Sequence, residues 1–529
     1  MTLPTLPSLP KELWDQIAAY LTGRDVKRLR LACKSLSSIP LPLDRVFISA
    51  NRIDINVFRY VANHDVFRHC VREIIWDEAR FERDFRVDAS SGLEWTDMGY
   101  TEDDPPDDFL TECRDNLDLV EARLAQYRLD LPFIAPLVKA MEEPLTMCES
   151  WWHYRQFLEG QRRVLAENLD IKAFEYGLDR FPALKRITIT PAAHGTLFAP
   201  LYKTPMIRTL PYGLNYSIPR GWPVSGESYL PADEWIEENK GKWRGFKEVI
   251  RCLAEHKAAG VKELVLDTHL LPTGVTCRFF DQPSLEYDHL VDLLQRPGFR
   301  RLDLALMVGQ QEPGDWESLR NGRLRSALAE ASELEHFHLN TDIGYQGTKD
   351  PGAHLALLHD IFPIERWPKL RHFGLTRFLV SQRDLVSFLS KLPATVRTIE
   401  LNCLYFISDD ESYRDLLENM RDSLDWKTRN AAGRPKVTIR LDLLDYGRLD
   451  SREVGSRNLW LEEEVGNFLY DGGPNPFDQV FRDEVLPGHG GTLRDEFQPE
   501  LVHPWVDHGT LVLMGIEKEA PSAGIEVDE

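Results

Sequence analysis

Carboxylates, arginines and histidines recur at alternating positions of short apolar segments in the C-terminal two thirds of the chain. Taken as strands, these segments send their third, fifth and seventh residues to one face, because strand side chains alternate. That face carries Glu263, Val265 and Asp267, then Arg301, Asp303 and Ala305, then His336, His338 and Asn340, then His372, Gly374 and Thr376, then Thr398, Glu400 and Asn402. It is polar and mixed in charge, which suits contact with a peptide or protein surface. Glu263, Asp267, Arg301, Asp303, His336, His338, His372 and Glu400 are therefore the candidate target-binding residues. His336 and His372 fall one strand apart, about 4.8 Å, the spacing of a metal pair or a pH switch. Histidines on an open face with no visible second shell are ordinarily polar surface, so no metal and no cofactor are expected.

A second group of chemical side chains lies near the C-terminus, in Gly488-His489-Gly490-Gly491 and His503-Pro504-Trp505-Val506-Asp507-His508. Combined with Asp507 these histidines have the residue types of a hydrolase. The chain nevertheless has no G-x-S-x-G elbow, P-loop, H-E-x-x-H pair or dinucleotide fingerprint, so no catalytic residue is assigned.

The elements that must position the open face follow one pattern, Φ-x-x-Φ-x-Φ with Φ apolar. It occurs as Leu184-x-x-Ile187-x-Ile189, Val261-x-x-Leu264-x-Leu266, Phe299-x-x-Leu302-x-Leu304, Leu334-x-x-Phe337-x-Leu339, Leu370-x-x-Phe373-x-Leu375 and Val396-x-x-Ile399-x-Leu401. Ile439-x-Leu441-x-Leu443 is a seventh, and Val71 to Trp76 an earlier one. From Leu264 to Leu302, Phe337, Phe373 and Ile399 the steps are 38, 35, 36 and 26 residues. Helical rhythm fills the gaps, as in Phe246, Val249, Ile250 and Leu253, or Leu385, Phe388, Leu389 and Leu392 behind a capping-box pattern at Ser381 and Asp384. Helix and strand alternating at such a period predict an α/β solenoid, in which each unit buries its apolar face only against its neighbours.

The array resembles leucine-rich repeats, which implies strands on a concave face and helices on a convex one. It departs from them at the ninth position, where Ala192, His269, Met307, Asp342, Phe378 and Leu404 stand in place of Asn or Cys, and most steps exceed the roughly 20–29 residues of a standard unit. Two segments interrupt it. Residues 77–110 include the acidic run Thr101 to Asp108. Residues 191–231 hold seven prolines, four glycines and the aromatics Phe198, Tyr202, Tyr212, Tyr216, Trp222 and Tyr229. Long aromatic loops either contact partners or pack over their own scaffold, and both readings stand at this point. The adjacent Trp151 and Trp152 read as core filler.

At the N-terminus, Leu13, Ile17 and Leu21 share one helical face, Thr22-Gly23 stops that helix, and Asp25 can cap a second one striped by Val26, Leu29, Cys33 and Leu36. So short a hairpin leaves apolar surface uncovered, with Trp14 and Leu31 off both stripes. The segment resembles the F-box, through Leu9, Pro10, Glu12, Leu13, Ile17, Leu21, Asp25-Val26, Leu29 and Cys33-Lys34; Ala32 and Leu36 replace the larger residues common in that family. The resemblance implies docking on the Skp adaptor, and through it on cullin, by Leu9, Pro10, Glu12, Leu13, Trp14, Ile17, Leu21, Val26, Leu29, Leu31 and Leu36. It implies a non-catalytic substrate-recognition subunit of a Skp–cullin–F-box ubiquitin ligase whose array holds an unidentified target protein. A structural scaffold that binds the adaptor without a part in ubiquitination is the alternative.

Composition agrees with this organisation. The 529 residues divide into a docking element at 1–46, an array over 47–447, and a C-terminal extension over 448–529 that ends in an acidic tail. The net charge of −22 argues against a nucleic-acid or membrane-surface binder, which needs a basic face. It is unevenly spread: residues 1–46 carry seven basic and four acidic side chains, +3, leaving −25 for the rest. Seven scattered cysteines form no C-x-x-C pair, and neither a signal peptide nor a membrane-length apolar run is visible. These features place the chain in the cytoplasm, the nucleus or both.

Overall fold

The structure, a computed structural model, describes residues 13, 17, 21, 23–32, 34–36, 43–81, 104–126, 134–224, 232–256, 260–269, 271–309, 317–343, 356–408, 410–442, 457–478, 480–481, 484–485, 490–495 and 502–504. Each apolar pattern seen in the sequence is a strand. In chain order these are β1 (Arg45–Ser49), β2 (Glu73–Asp77), β3 (Arg186–Thr190), β4 (Glu263–Leu266), a two-residue β5 (Val275–Thr276), β6 (Arg301–Met307), β7 (His336–Thr341) and β8 (His372–Thr376). There follow β9 (Leu379–Val380), β10 (Thr398–Asn402), β11 (Tyr405–Phe406), β12 (Lys436–Asp442), β13 (Arg457–Leu461), β14 (Val480–Phe481), β15 (Glu484–Val485), β16 (Thr492–Asp495) and β17 (Val502–Pro504).

One large sheet takes up most of them, in the order β1-β2-β3-β4-β6-β7-β8-β10-β12-β13-β16-β17, with β5 on the side of β6. The strands of this sheet thus join it in sequence order. From β1 to β12 the pairing is parallel, and parallel neighbours require a crossover between them. The helices Arg52–Asn63, Arg244–Glu255, Leu285–Leu294, Arg323–Ala329, Gln382–Ser390 and Tyr413–Ser423 supply crossovers, and the fold is a mixed α/β architecture on a mostly parallel sheet. Residues of the C-terminal extension add β13, β16 and β17 antiparallel to the same sheet. Among the described residues, no helix is long and apolar enough to cross a membrane.

Parallel pairing without slippage stacks like upon like. Val46, Ile74, Ile187, Leu264, Leu302, Phe337, Phe373, Ile399 and Val437 are consecutive partners across nine strands, and every one is buried. This row joins the helix residues Phe246, Val249, Leu293, Leu328, Leu385 and Leu416 in one continuous core. Aromatic rings thicken its middle, where Phe337 meets Phe362, Trp367 and Phe373 at centroid separations of 5.4, 5.1 and 6.2 Å.

The turns that leave the strands solve the problem posed by the missing Asn or Cys ladder. His269, Gly309, Arg377 and Cys403 adopt left-handed backbone at φ of 52°, 70°, 52° and 47°. At two of them the amide then reaches the next strand, Arg377 N donating to Asn402 O (3.0 Å) and Cys403 N to Arg440 O (2.8 Å). Asp342, one of the ninth-position residues, accepts from the amides of Val308 (2.6 Å) and Gly309 (3.2 Å). The capping box expected at Ser381 does not form. Ser381 makes no side-chain cap, and Asp384 instead accepts from Leu358 N in the preceding unit. A capping box does open another helix, at Thr146 with Glu149, and at Ser412 the serine hydroxyl caps a helix by accepting from Asp415 N.

The interruption between β2 and β3 builds a second core. Helices Asp107–Gln126, Ala135–Glu142 and Met147–Glu167 bury Phe109, Trp151, Tyr154 and Leu158 against Phe81 and against Leu197, Met206, Leu214 and Tyr216 of the proline-rich segment. Residues 191–224 are therefore packed loop, not free surface: Asn215 Nδ2 donates to Cys113 O, Met206 N to Asp54 Oδ1, and His194 Nδ1 lies 2.8 Å from the Tyr216 hydroxyl. Tyr212 alone of their aromatics stands largely exposed, and Tyr229 lies outside the described residues. Of the tryptophan pair, Trp151 is core while Trp152 is 54% exposed, since adjacent helical residues point about 100° apart.

Truncating Phe337 to alanine removes the hub of the aromatic cluster. It should lower stability by about 3–5 kcal/mol in equilibrium denaturation. A loss below about 1 kcal/mol would mean that the rows do not pack as described.

Candidate functional site

The face of the sheet opposite the core is read most easily along a second row. Arg45, Glu73, Arg186, Glu263, Arg301, His336, His372, Thr398 and Lys436 are consecutive partners from β1 to β12. Over the first five strands the charges alternate, and from Arg45 to Glu263 each side chain finds a counter-charge one strand away, while Arg301 pairs within its own strand. Arg186 Nε lies 2.6 Å from Glu263, which also receives Arg300 at 2.6 Å; Glu73 takes Arg45 at 3.6 Å and Arg186 at 4.0 Å. Burial alone would raise the Glu263 carboxyl, but hydrogen bonds from Arg300 and Arg186 outweigh it and hold it below the usual range.

At β6 the row passes from salt bridges to histidines. Arg301 forks onto Asp303 at 3.0 and 2.6 Å, and His336 Nε2 approaches the same carboxylate at 3.0 Å. Burial would raise Asp303, yet His336 and Arg301 hold it far below an ordinary carboxylate. The rings of His336 and His372 stack 3.9 Å apart at 6°, tighter than the strand spacing, and His338 runs parallel to His372 at 6.1 Å. Burial is the main reason that both inner histidines are neutral. It pushes His372 down to about 2, helped by the neighbouring His336 and His338, and it lowers His338 against the opposing pull of Glu400 and Asp303.

Glycine at position 374 makes this crowding possible. Gly374 sits in register between His338 and Glu400, and a Cβ there would fall 2.4 Å from His338 Nδ1. Without it the imidazole leans across, and Nδ1 stands 3.7 Å from Glu400 Oε2. Above these side chains opens a cleft of about 350 Å³, lined by Asp267, Thr268, Asp303, His338, Asn340, Thr376, Glu400, Arg440 and Trp460 among others. Its floor is polar and internally paired, so it can receive a short segment or small polar group but offers little unpaired charge.

The eight target-binding candidates thus share one face, although none is fully exposed. Glu263, expected as a target-binding residue, is 6% exposed and engaged by arginines on both sides. Asp267 is half-buried and accepts from the Tyr202 hydroxyl at 2.8 Å, Arg301 and Asp303 bind each other, and His336, His338, His372 and Glu400 form one cluster. Arg440 and Trp460 also line the cleft. Strand alternation about Ile439 and Leu441 could have placed Arg440 there; Trp460 arrives on an antiparallel strand whose pairing no local pattern signals.

The described residues of the N-terminal element form an apolar cluster of their own. Helix Gly23–Ala32 and the turn at Lys34–Leu36 bury Val26 and Leu36 in a small cluster of their own with Ile17, Leu21 and Leu29. Val26 and Leu36, expected as partner contacts, are buried on the inner face of the element. Leu13 and Leu31 are 45% and 80% exposed, while Leu9, Pro10, Glu12 and Trp14 lie outside the described residues. Of the C-terminal histidines, His489 and His508 also lie outside them. No family model matches the chain, and no curated protein matches it.

The charge ladder has a pH signature. A carboxylate held low in the folded state contributes stability above its unfolded pKa and loses it as pH falls through the folded value. Glu263→Gln should therefore cost about 1 kcal/mol at pH 7, the half-exposed arginine heads limiting the effect, and the difference from the parent should shrink in acid. Denaturant titrations at pH 7 and pH 3 measure it; a difference that is equal at both would deny the ion pairs their role.

Proposed function

We propose that this chain is the substrate-recognition subunit of a Skp–cullin–F-box ubiquitin ligase. The observation that carries the reading is the pair of uncovered leucines, Leu13 and Leu31, on a helical element with its own small core. A buried leucine is worth about 1.5–3 kcal/mol relative to an exposed one, so covering Leu31, 80% exposed, would contribute to docking of a partner. The resemblance of the surrounding residues to the F-box supports an adaptor as that cover. The local +3 charge of residues 1–46 favours an acidic partner, which is what that resemblance implies.

The sheet supports the other half of the reading. Strands added in sequence order, parallel and in register, are what a leucine-rich-repeat-like array requires, with the strand face toward the target and helices behind. The polar cleft across β4 to β13 is then the place where a target segment is held. In such a subunit rate enhancement comes from holding the target beside an enzyme borne by other subunits, so the chain itself needs rigid spacing and no catalytic group. Cytoplasm and nucleus both suit that role.

Leu31→Asp tests the docking half without touching the core. Its affinity for purified Skp adaptor should fall more than tenfold, about 1.4 kcal/mol, with unfolding unchanged, and Leu13→Arg should act in the same direction. Absence of binding by the parent chain would remove the adaptor, and undiminished binding by both variants would remove the two leucines from the interface. Adaptor binding without recovery of cullin would favour the scaffold instead.

A further inference from the structure

We infer that His338, His372 and Glu400 form a binding site for a divalent transition-metal ion of the zinc class. The inference holds whether or not the docking reading does. These three residues each offer a ligand atom within 4.8 Å of the others. Tetrahedral ligands at about 2.0–2.2 Å from an ion stand about 3.4 Å apart, so side-chain rotations of about 1 Å close the set. Two imidazoles and one carboxylate are a donor set that zinc-class ions take, and nitrogen donors disfavour calcium and magnesium.

What separates this trio from histidines that merely share a surface is the shell behind it. Ligating histidines keep the second ring nitrogen in a hydrogen bond that fixes the ring. Here His372 Nδ1 lies 2.8 Å from Thr398 Oγ1 and His338 Nε2 lies 2.8 Å from Thr376 Oγ1, which leaves His372 Nε2 and His338 Nδ1 for a ligand. His372 Nε2 is buried with no hydrogen-bond partner, a state that costs free energy unless something binds there. Glu400 Oε2 accepts from Asn402 Nδ2 at 3.2 Å, so the carboxylate is oriented too. Gly374 completes the arrangement by leaving the space through which His338 Nδ1 approaches Glu400. No metal is expected from the sequence because alternation alone shows no second shell; the structure supplies one in Thr376, Thr398 and Asn402. Three protein ligands leave a coordination position toward the cleft, where a water or an electron-pair donor of a bound segment completes the shell.

The full-length chain, stripped by chelator and titrated with Zn²⁺ against a chromogenic competitor, should bind one tight equivalent. Co²⁺ in its place should give the visible absorption of a four-coordinate site. His372→Ala and Glu400→Gln should each abolish that equivalent, Thr398→Val should weaken it about 10–100-fold, and His359→Ala, which alters a distant histidine, should leave it intact. Circular dichroism of Glu400→Gln, the most conservative change, distinguishes loss of the site from loss of fold. Absence of a tight equivalent in the parent chain overturns the inference. So does binding that persists in folded Glu400→Gln and His372→Ala, since the ion would then sit elsewhere.

Discussion

In-register parallel pairing is the constraint from which the other features follow. Nine strands from β1 to β12 meet their neighbours without a slip, so a residue type placed at a given strand position in successive units becomes a continuous row. One row of Val, Ile, Leu and Phe forms the core beneath the helices. The row one residue earlier carries Arg45, Glu73, Arg186, Glu263 and Arg301, and the same geometry that stacks apolar groups would stack like charges if the signs did not alternate. A shift of any strand by one residue would put each set on the wrong face, so the two rows specify register jointly.

The histidine cluster is the place where this arithmetic changes. After Arg301 no further alternation of full charges follows; His336 and His372 occupy the next positions, and Asp303 on the adjacent row ties Arg301 and His336 together. Desolvation lowers His372 and His338, and the His372 ring stacks on that of His336 at 3.9 Å. Gly374, the left-handed turns at Arg377 and Cys403, and the bond from Leu358 N to Asp384 show that neighbouring strands and their crossovers are joined by particular contacts.

The strands and the membership of the open face were legible in the sequence because both depend on alternation, which is local. The row containing His336 and His372, and the burial of Phe337 or Leu302, follow from it directly. The exposure of that face was not legible, since it depends on which side chains pair across strands: Glu263 is buried by Arg186 and Arg300, and Asp267 by Tyr202 from a loop far away in sequence. Nor was the proline-rich segment, whose composition fits a free loop and a packed one equally; its partners Cys113 and Asp54 decide the matter. Val26 and Leu36 show the limit for helices, where an apolar stripe marks a buried face without saying whether the cover is the element's own or a partner's.

The described residues form three apolar clusters, one under the sheet, one in the interruption between β2 and β3, and a small one within the N-terminal element, where Leu13 and Leu31 stay exposed. That division is the physical content of the proposed role. Its most direct measurement is affinity purification of the intact chain from cells, with quantification of the adaptor and cullin recovered. The account predicts both in stoichiometric amounts, and their joint loss when residues 1–46 are removed. Recovery of the intact, folded chain with neither protein would contradict it.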